Sequence, residues 1–303
     1  MPELPEVQTT VDGINKLTKG LVISDVWTDL KSPSARFADS IKNPAFFKSF
    51  AKRIIGKKIV GASRRAKNIL IHLKDKSDEE TVLIHMKMTG HIMYGKYEYD
   101  KKKNLWLPVT GQEALDDPFN RFLHLVLTFT NGKQLVLSDV RKFAKVTILN
   151  RSIEAEFSHL GPEPLDEAFD KKLFLQKIGR FPNKQIKTAL MDQTLISGIG
   201  NIYSDEILHA AGVLPMHSVK SLSADQLSAI YKNIKPLLLK GVLFGGDSTS
   251  DYRNIYGERG KFQGKHAVYR RTEKACMRRG CGGVIVRKVI GGRSAHYCPI
   301  CQK

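Results

Sequence analysis

Apolar positions along the chain change their spacing as the chain proceeds. Val7, Val11, Ile14 and Leu17 recur at helical intervals up to Gly20, which predicts one amphipathic helix that stops at the glycine. From Val22 onward the pattern shortens to β-rich segments at 22–27, 58–63, 69–74, 81–86, 123–130, 134–138 and 145–150. Asn131-Gly132 lies between two of these and marks a tight hairpin. Short strands punctuated by turns predict an antiparallel β-sandwich with the leading helix against it. Residues 31–54 and 94–118 interrupt the pattern, and the Lys101-Lys102-Lys103 run in the second reads as a solvated loop.

The second half turns helical. His159-Leu160-Gly161-Pro162-Glu163-Pro164-Leu165 breaks structure with two prolines. Helices are then expected at 184–195, at 202–211 closed by Gly212, and at 224–241 behind a Ser223 cap. Ile196-Ser197-Gly198-Ile199-Gly200-Asn201 joins the first two, with Asn201 expected as the N-cap of the second. A polar, glycine-rich stretch at 245–264 predicts a mobile loop. Residues 284–289 and 294–297 flank Gly291-Gly292 as a hairpin with Arg293 at its tip. The expected fold class is α+β in four parts: a β-sandwich domain with its N-terminal helix at 1–150, a helical domain at 151–242, a flexible loop at 243–265 and a small cysteine-bearing domain at 266–303.

Charge narrows the partner. Lysine and arginine total 49 against 30 acids, a net charge of +19 in 303 residues, with a pI near 9.7. Such an excess on a globular chain points to a polyanion, most commonly nucleic acid. No apolar run is long enough to span a membrane and the start does not read as a signal peptide, so a cytoplasmic location is expected. Cys276 and Cys281, then Cys298 and Cys301, form two closely spaced pairs near the C-terminus. Two such pairs let four thiolates meet one tetrahedral zinc ion, which a domain this small needs in place of a core. A redox-active dithiol would not need two pairs.

Candidate chemistry begins at Pro2. Removal of Met1 leaves a terminal secondary amine, and a terminal amino group has a pKa of about 7.7 to 8, so a useful fraction is a free nucleophile at neutral pH. Such an amine can attack a sugar C1′ or a carbonyl carbon and form an iminium. Glu3 and Glu6 place two carboxylates near that nitrogen, although prolines and acids also suit an ordinary helix start. Arg64-Arg65-Ala66-Lys67 puts cations at a strand entrance, as a basic turn or a phosphate contact. Asp139-Val140-Arg141-Lys142-Phe143 ends a hairpin with a cation and an aromatic ring, a pairing suited to entering a base stack or simply to a packed ring beside a surface charge. The glycines before residue 202 free backbone N–H groups at a helix start for a phosphate, or merely form a helix hairpin.

Met1-Pro2-Glu3-Leu4-Pro5-Glu6-Val7, Arg64–Lys67, His85-Met86-Lys87-Met88-Thr89-Gly90, residues 139–143, residues 159–165, Gly198-Ile199-Gly200-Asn201-Ile202-Tyr203 and the cysteine pairs occur in the order seen in one family. Together they resemble the bacterial formamidopyrimidine-DNA glycosylases, of the formamidopyrimidine glycosylase and endonuclease VIII family. The resemblance implies a bifunctional DNA glycosylase and AP lyase for oxidised purines in base excision repair. It implies a structural zinc, no redox cofactor, double-stranded damaged DNA as partner, no membrane, and a monomer associated with the nucleoid.

By the same resemblance Pro2 is the nucleophile and Glu3 the acid, while Glu6 is a structural carboxylate. Lys67 and the finger residue Arg293 act on the sugar and its phosphates. Met88, Arg141 and Phe143 fill the gap left by an extruded nucleotide, and His124, Lys184 and Asn201 contact DNA. The 243–265 loop covers the extruded base. Departures are specific: Phe122-Leu123-His124 stands for the family's His-Asp-His, Val140 and Lys142 replace Pro and Arg, and Asn183 replaces a lysine that Lys184 is expected to supply. Four residues rather than two separate Cys276 from Cys281. Two alternatives stay open: an endonuclease VIII-like enzyme for oxidised pyrimidines, and a non-catalytic damaged-DNA-binding protein.

Overall fold

Helix α1 (Leu4–Thr18) begins the fold, with Pro5 in its first turn and the Glu6 carboxylate returning to accept the Glu3 N–H at 2.7 Å. Its Val7, Val11 and Ile14 are buried together, as their spacing requires. The computed structural model describes residues 1–32 and 34–303. These divide into two units, Met1–Phe157 with Phe244–Lys261, and Ser158–Leu243 with Phe262–Lys303.

In the first unit the chain continues through β1 (Ile23–Trp27), α2 (Pro44–Ile54), β2 (Lys58–Arg65), β3 (Asn68–Lys74), β4 (Glu79–His85), β5 (His91–Gly95), β6 (Tyr97–Asp100), β7 (Leu105–Pro108), β8 (Leu123–Phe129), β9 (Gln134–Ser138), β10 (Lys145–Ile148) and α3 (Ile153–Glu156). Two antiparallel sheets, ordered β1-β8-β9-β5 and β10-β4-β3-β2, make the expected sandwich. Apolar residues of both sheets share one core with α1. The Asn15 side chain of α1 bonds the Ala62 N–H and C=O of β2 at 2.7 and 2.8 Å, and Arg64 reaches Gln8 at 2.9 Å. Thus α1 is fixed against the hairpin whose turn carries Lys67.

Register places the candidate residues at one end. His85 closes β4 opposite both Asn68 and Lys145, and Ser138 closes β9 opposite both His91 and Leu123. Residues 86–90 and 139–144 therefore cross between the sheets next to the β2–β3 turn. Hydroxyl donation from Thr89 to the Asp139 carboxylate joins the two crossings.

Both expected interruptions are structured. Asn43 accepts the Ala45 and Phe46 N–H groups to cap α2, whose Phe50 and Ile54 enter the core. Residues 94–118 form the β6–β7 hairpin and short 3-10 turns, and Tyr97 and Leu115 build a second cluster with Trp27 and Trp106 on the outer face of the first sheet. The 244–261 segment is also packed: Ile255 joins the core and its C=O accepts the Tyr94 N–H at 2.8 Å.

The second unit holds α4 (Lys171–Ile178), α5 (Ile186–Met191), α6 (Asn201–Ala211), α7 (Ala224–Leu243), β11 (Val286–Ile290) and β12 (Arg293–Tyr297). The N-cap of α6 is Gly200, so Asn201 is its first helical residue and not the expected cap. The helical domain and finger expected as separate parts fall in one unit because buried charges join them. Lys187 of α5 is fully buried and donates to Asp205 of α6 at 2.5 Å, while the other Asp205 oxygen accepts the His296 N–H of β12 at 2.9 Å. Glu206 accepts the N–H groups of Ala267, Val268 and Tyr269 at 2.8 to 3.0 Å. Among the described residues no helix is long and apolar enough to cross a membrane.

Candidate active site and metal centre

The N-terminus is built around carboxylates taken out of water. Pro2, Glu3 and Glu6 are buried, whereas Met1 stays 41% exposed at the edge of a cavity of about 660 Å³. Glu6 accepts the N–H of Glu3 at 2.7 Å and that of Asp247 at 2.8 Å. Burial, and then the charge of Glu3, push its pKa up to about 7, so Glu6 exchanges its proton near neutrality while its oxygens hold backbone. Gly246 makes this possible: its φ is +83°, and a Cβ there would stand 2.9 Å from the Glu6 Cγ.

The cavity is lined by Met1, Asp29, Lys42, Lys87, Met88 and residues 141–143, among others. Its cations are incompletely matched. Burial lowers the pKa of Lys42; the Asp139 charge opposes the fall only in part, and Arg36 and Lys87 add to it, while burial and then Lys145 lower that of Lys87. An anion entering here relieves that cost. His85 is pushed down to about 3, first by burial and then by Lys87 and Lys67, and its neutral Nδ1 accepts the Lys87 N–H at 2.9 Å. Lys67 sits in the β2–β3 turn, 6% exposed.

Asp139 shapes the second crossing. Its carboxylate accepts the Ala144 N–H at 2.7 Å and the Arg141 N–H at 3.3 Å, and Lys142 takes a left-handed φ of +55° between them. Lys42 donates to the Lys142 C=O at 2.6 Å. Phe143 is consequently 49% exposed, with the Arg141 guanidinium 4.5 Å from its ring centre. A large exposed aromatic held by a buried carboxylate is available for a ligand.

His124 lies elsewhere in the network. It is buried, and its Nδ1 donates to Asp29 at 2.8 Å. Burial opposes ionisation of Asp29, but His124 and then Lys142 outweigh it and hold its pKa below the usual range. His124 thus positions Asp29, and in this structure it offers no exposed edge to DNA. Asp29, Lys42 and Asp139 were not singled out from the sequence; a carboxylate within the 139–143 phrase was the one signal available.

In the second unit, Gln193 ties the loop before α6 by bonding the Met191 and Ile199 C=O groups and the Gly198 N–H at 2.7 to 2.9 Å. Asn201 then stands at the helix start with its Oδ1 buried and without a hydrogen bond. Lys184 is paired with Asp192 and lies over the Phe181 ring at 5.1 Å. Arg293 is exposed, opposite Ile290 across the hairpin turn.

The four cysteine sulfurs lie within 4.8 Å of one another, with Cys276 to Cys301 at 3.7 Å and Cys281 to Cys298 at 3.4 Å. Four thiolates on zinc at about 2.3 Å stand about 3.8 Å apart, so the set fits a tetrahedral ion. The long first knuckle is pinned by Arg278, which donates to the His209 and Ala210 C=O groups at the end of α6. His209 Nε2 also reaches the Cys276 sulfur at 3.4 Å, a partner behind the ligand.

Three family models match this chain. They are the formamidopyrimidine-DNA glycosylase N-terminal domain over residues 1–146, the formamidopyrimidine-DNA glycosylase H2TH domain over 160–253, and the zinc finger found in FPG and IleRS over 273–303. The formamidopyrimidine-DNA glycosylase of Bacillus subtilis is 35% identical over 305 residues, spanning 100% of this chain and 99% of that one. That of Pelotomaculum thermopropionicum is 35% identical with the same coverage. The solved complex of Lactococcus lactis Fpg with abasic-site DNA has a TM-score of 0.81 at 30% identity over 99% of each chain. A complex of a mutant of that protein with DNA containing Fapy-dG gives 0.82 at 30% identity over 100% of each. Fold and site together define an α+β protein with a sandwich led by its N-terminal helix, a helix-two-turns-helix unit and a four-thiolate zinc finger. The chain belongs to the formamidopyrimidine-DNA glycosylase family.

Proposed function

We propose that the chain is a bifunctional DNA glycosylase and AP lyase of base excision repair that removes 8-oxoguanine and formamidopyrimidines from double-stranded DNA, as a monomer at the bacterial nucleoid. The observation that carries this reading is the single end of the sandwich where Met1 opens on a cation-lined cavity beside Met88, Arg141 and Phe143. Removal of Met1, which lines that cavity, turns Pro2 into the terminal amine next to it.

The lesion is flipped from the duplex, at a cost of a few kcal/mol that is least for a damaged pair. Pro2 nitrogen bonds to C1′ as the glycosidic bond breaks with its electron pair leaving on the base, and the proton shed by the amine balances the one the base takes up. Glu3 protonates the sugar ring oxygen as the nitrogen lone pair opens the ring to the iminium. That iminium acidifies the C2′ protons; loss of one expels the 3′ phosphate, and a second elimination expels the 5′ phosphate. Lys67 and Arg293 contact sugar and phosphates in these steps. Met88, Arg141 and Phe143 occupy the vacated stack, and the 244–261 segment lies over the extruded base. Asn201 contacts a phosphate at the α6 start, and Lys184 must exchange Asp192 for phosphate to do the same. Zinc supplies the finger with a fixed geometry and takes no part in bond making.

Duplexes bearing 8-oxoguanine and thymine glycol test the reading side by side. Excision of 8-oxoguanine that leaves a gap with phosphate on both ends is expected. Turnover confined to thymine glycol would indicate an oxidised-pyrimidine enzyme, and no turnover on either a silent binding protein.

A further inference from the structure

Residues 96–121 and 244–261 belong to the same unit, and the first of these has no part in the chemistry above. The 244–261 segment has no helix or strand, yet besides the Ile255 anchor in the sandwich core it is held by polar contacts at two places. Its near half grips α1: the Asp247 N–H reaches Glu6 at 2.8 Å, and the Tyr252 hydroxyl donates to the Glu6 C=O at 3.1 Å. Its far half grips the 96–121 insertion. Arg253, 3% exposed, donates to both Asp117 oxygens at 3.0 Å, and its guanidinium lies 4.9 Å from the Phe119 ring centre. Asn120 donates to the Gly257 C=O at 3.0 Å and to the Ala114 C=O at 2.8 Å, while its Oδ1 meets the His91 ring at 2.9 Å. Gly257 has a φ of +83°, and a Cβ there would stand 2.7 Å from the Ala114 C=O. The two pieces are shaped to each other.

We propose that the insertion is a brace and that Asp117 is a positioning residue for base excision: through Arg253 and Asn120 it fixes the far half of the 244–261 segment while α1 fixes the near half. A segment with few apolar anchors opens at low free energy unless polar contacts fasten it. Here the fastening is a buried cation whose charge is met by the Asp117 carboxylate, so loss of that carboxylate releases the segment locally. The proposal rests on the glycosylase reading, and it separates the two halves of the reaction. Excision needs the flipped base held; an abasic sugar has no base to hold, and the Glu6 contacts stay with the near half.

Zinc-loaded, full-length protein tests this by two rates: single-turnover release of 8-oxoguanine, and borohydride trapping on an abasic duplex. Asp117→Asn is expected to slow excision on the order of tenfold, less than the roughly hundredfold that a 1 Å misplacement can cost. Trapping is expected to stay at the wild-type rate, and Asp117→Glu to recover most of the excision. Asp117→Ala with Arg253→Met removes both charges together, which keeps the fold, and should be no slower than Asp117→Asn because the contact is already gone. Unfolding midpoints check folding. Equal excision by Asp117→Asn and wild type overturns the brace, as does a parallel fall of excision and trapping. Wild-type protein that traps no abasic DNA refutes the glycosylase reading itself.

Discussion

Two regions bury charge and use it in opposite ways. At the sandwich end Glu6 is lifted to about 7 and Lys42 is depressed by burial and by Arg36 and Lys87, so the charges there are imperfectly matched. In the second unit Lys187, Asp205 and His296 satisfy one another in full burial, and Glu206 takes three backbone N–H groups. Mismatch leaves the first region suited to a charged ligand; satisfaction makes the second a fixed frame, with Asn201 at the start of α6 and Arg293 at the start of β12. Perturbed ionisation is a mark of candidate chemistry at the sandwich end, and mutual pairing of buried charges is a mark of architecture in the second unit.

Substitution can break this contrast. Glu3→Gln should slow base release by about 10²–10⁴-fold, the range of a positioned acid, while the unfolding midpoint stays within error. Single-turnover kinetics beside calorimetry checks both. Lys187→Met should do the reverse, leaving Asp205 buried without its cation and costing about 3–5 kcal/mol of stability. Trapping per folded molecule should not change, and denaturant unfolding with active-site titration would show it. If Lys187→Met instead abolished chemistry in fully folded protein, the frame would have to be counted as part of the site.

Phe143→Ala should weaken binding to an abasic duplex by about 1–3 kcal/mol, the scale of one base–aromatic stack. Fluorescence titration measures it, and an unchanged Kd would remove Phe143 from the gap-filling set. The last effect concerns Glu6. Between its ordinary value of 4.5 and about 7 the folded chain holds a proton that the unfolded chain has released, so raising pH through that window lowers stability. Glu6→Gln has no such titration, and its midpoint-versus-pH curve should lack that decline.

Much of this was legible in the sequence, for identifiable reasons. The sandwich strands and α1 carry their burial in residue spacing, and the cysteine pairs carry their geometry in the interval between ligands. Strands β6 and β7 were hidden because each is four residues long and they flank a lysine run. Helix α2 was hidden because its apolar positions, Phe46, Phe47, Phe50 and Ile54, alternate with cations inside a stretch that begins with Ser and Pro. Pairings set by folding leave no local trace: Asp29 with His124 spans 95 residues, and Asp117 with Arg253 spans 136. His124 is expected from the sequence to contact DNA, and only the fold shows that its ring is buried against Asp29.

The claim on which the rest depends is that the nitrogen of Pro2 becomes bonded to deoxyribose. Borohydride reduction of the protein on an abasic duplex, followed by peptide mass spectrometry, tests it directly. The expected result is a sugar adduct on Pro2 of chains that have lost Met1, and no adduct when residues are added ahead of Pro2. Full-rate strand cleavage by protein that retains Met1, or an adduct on a lysine in its place, would contradict it.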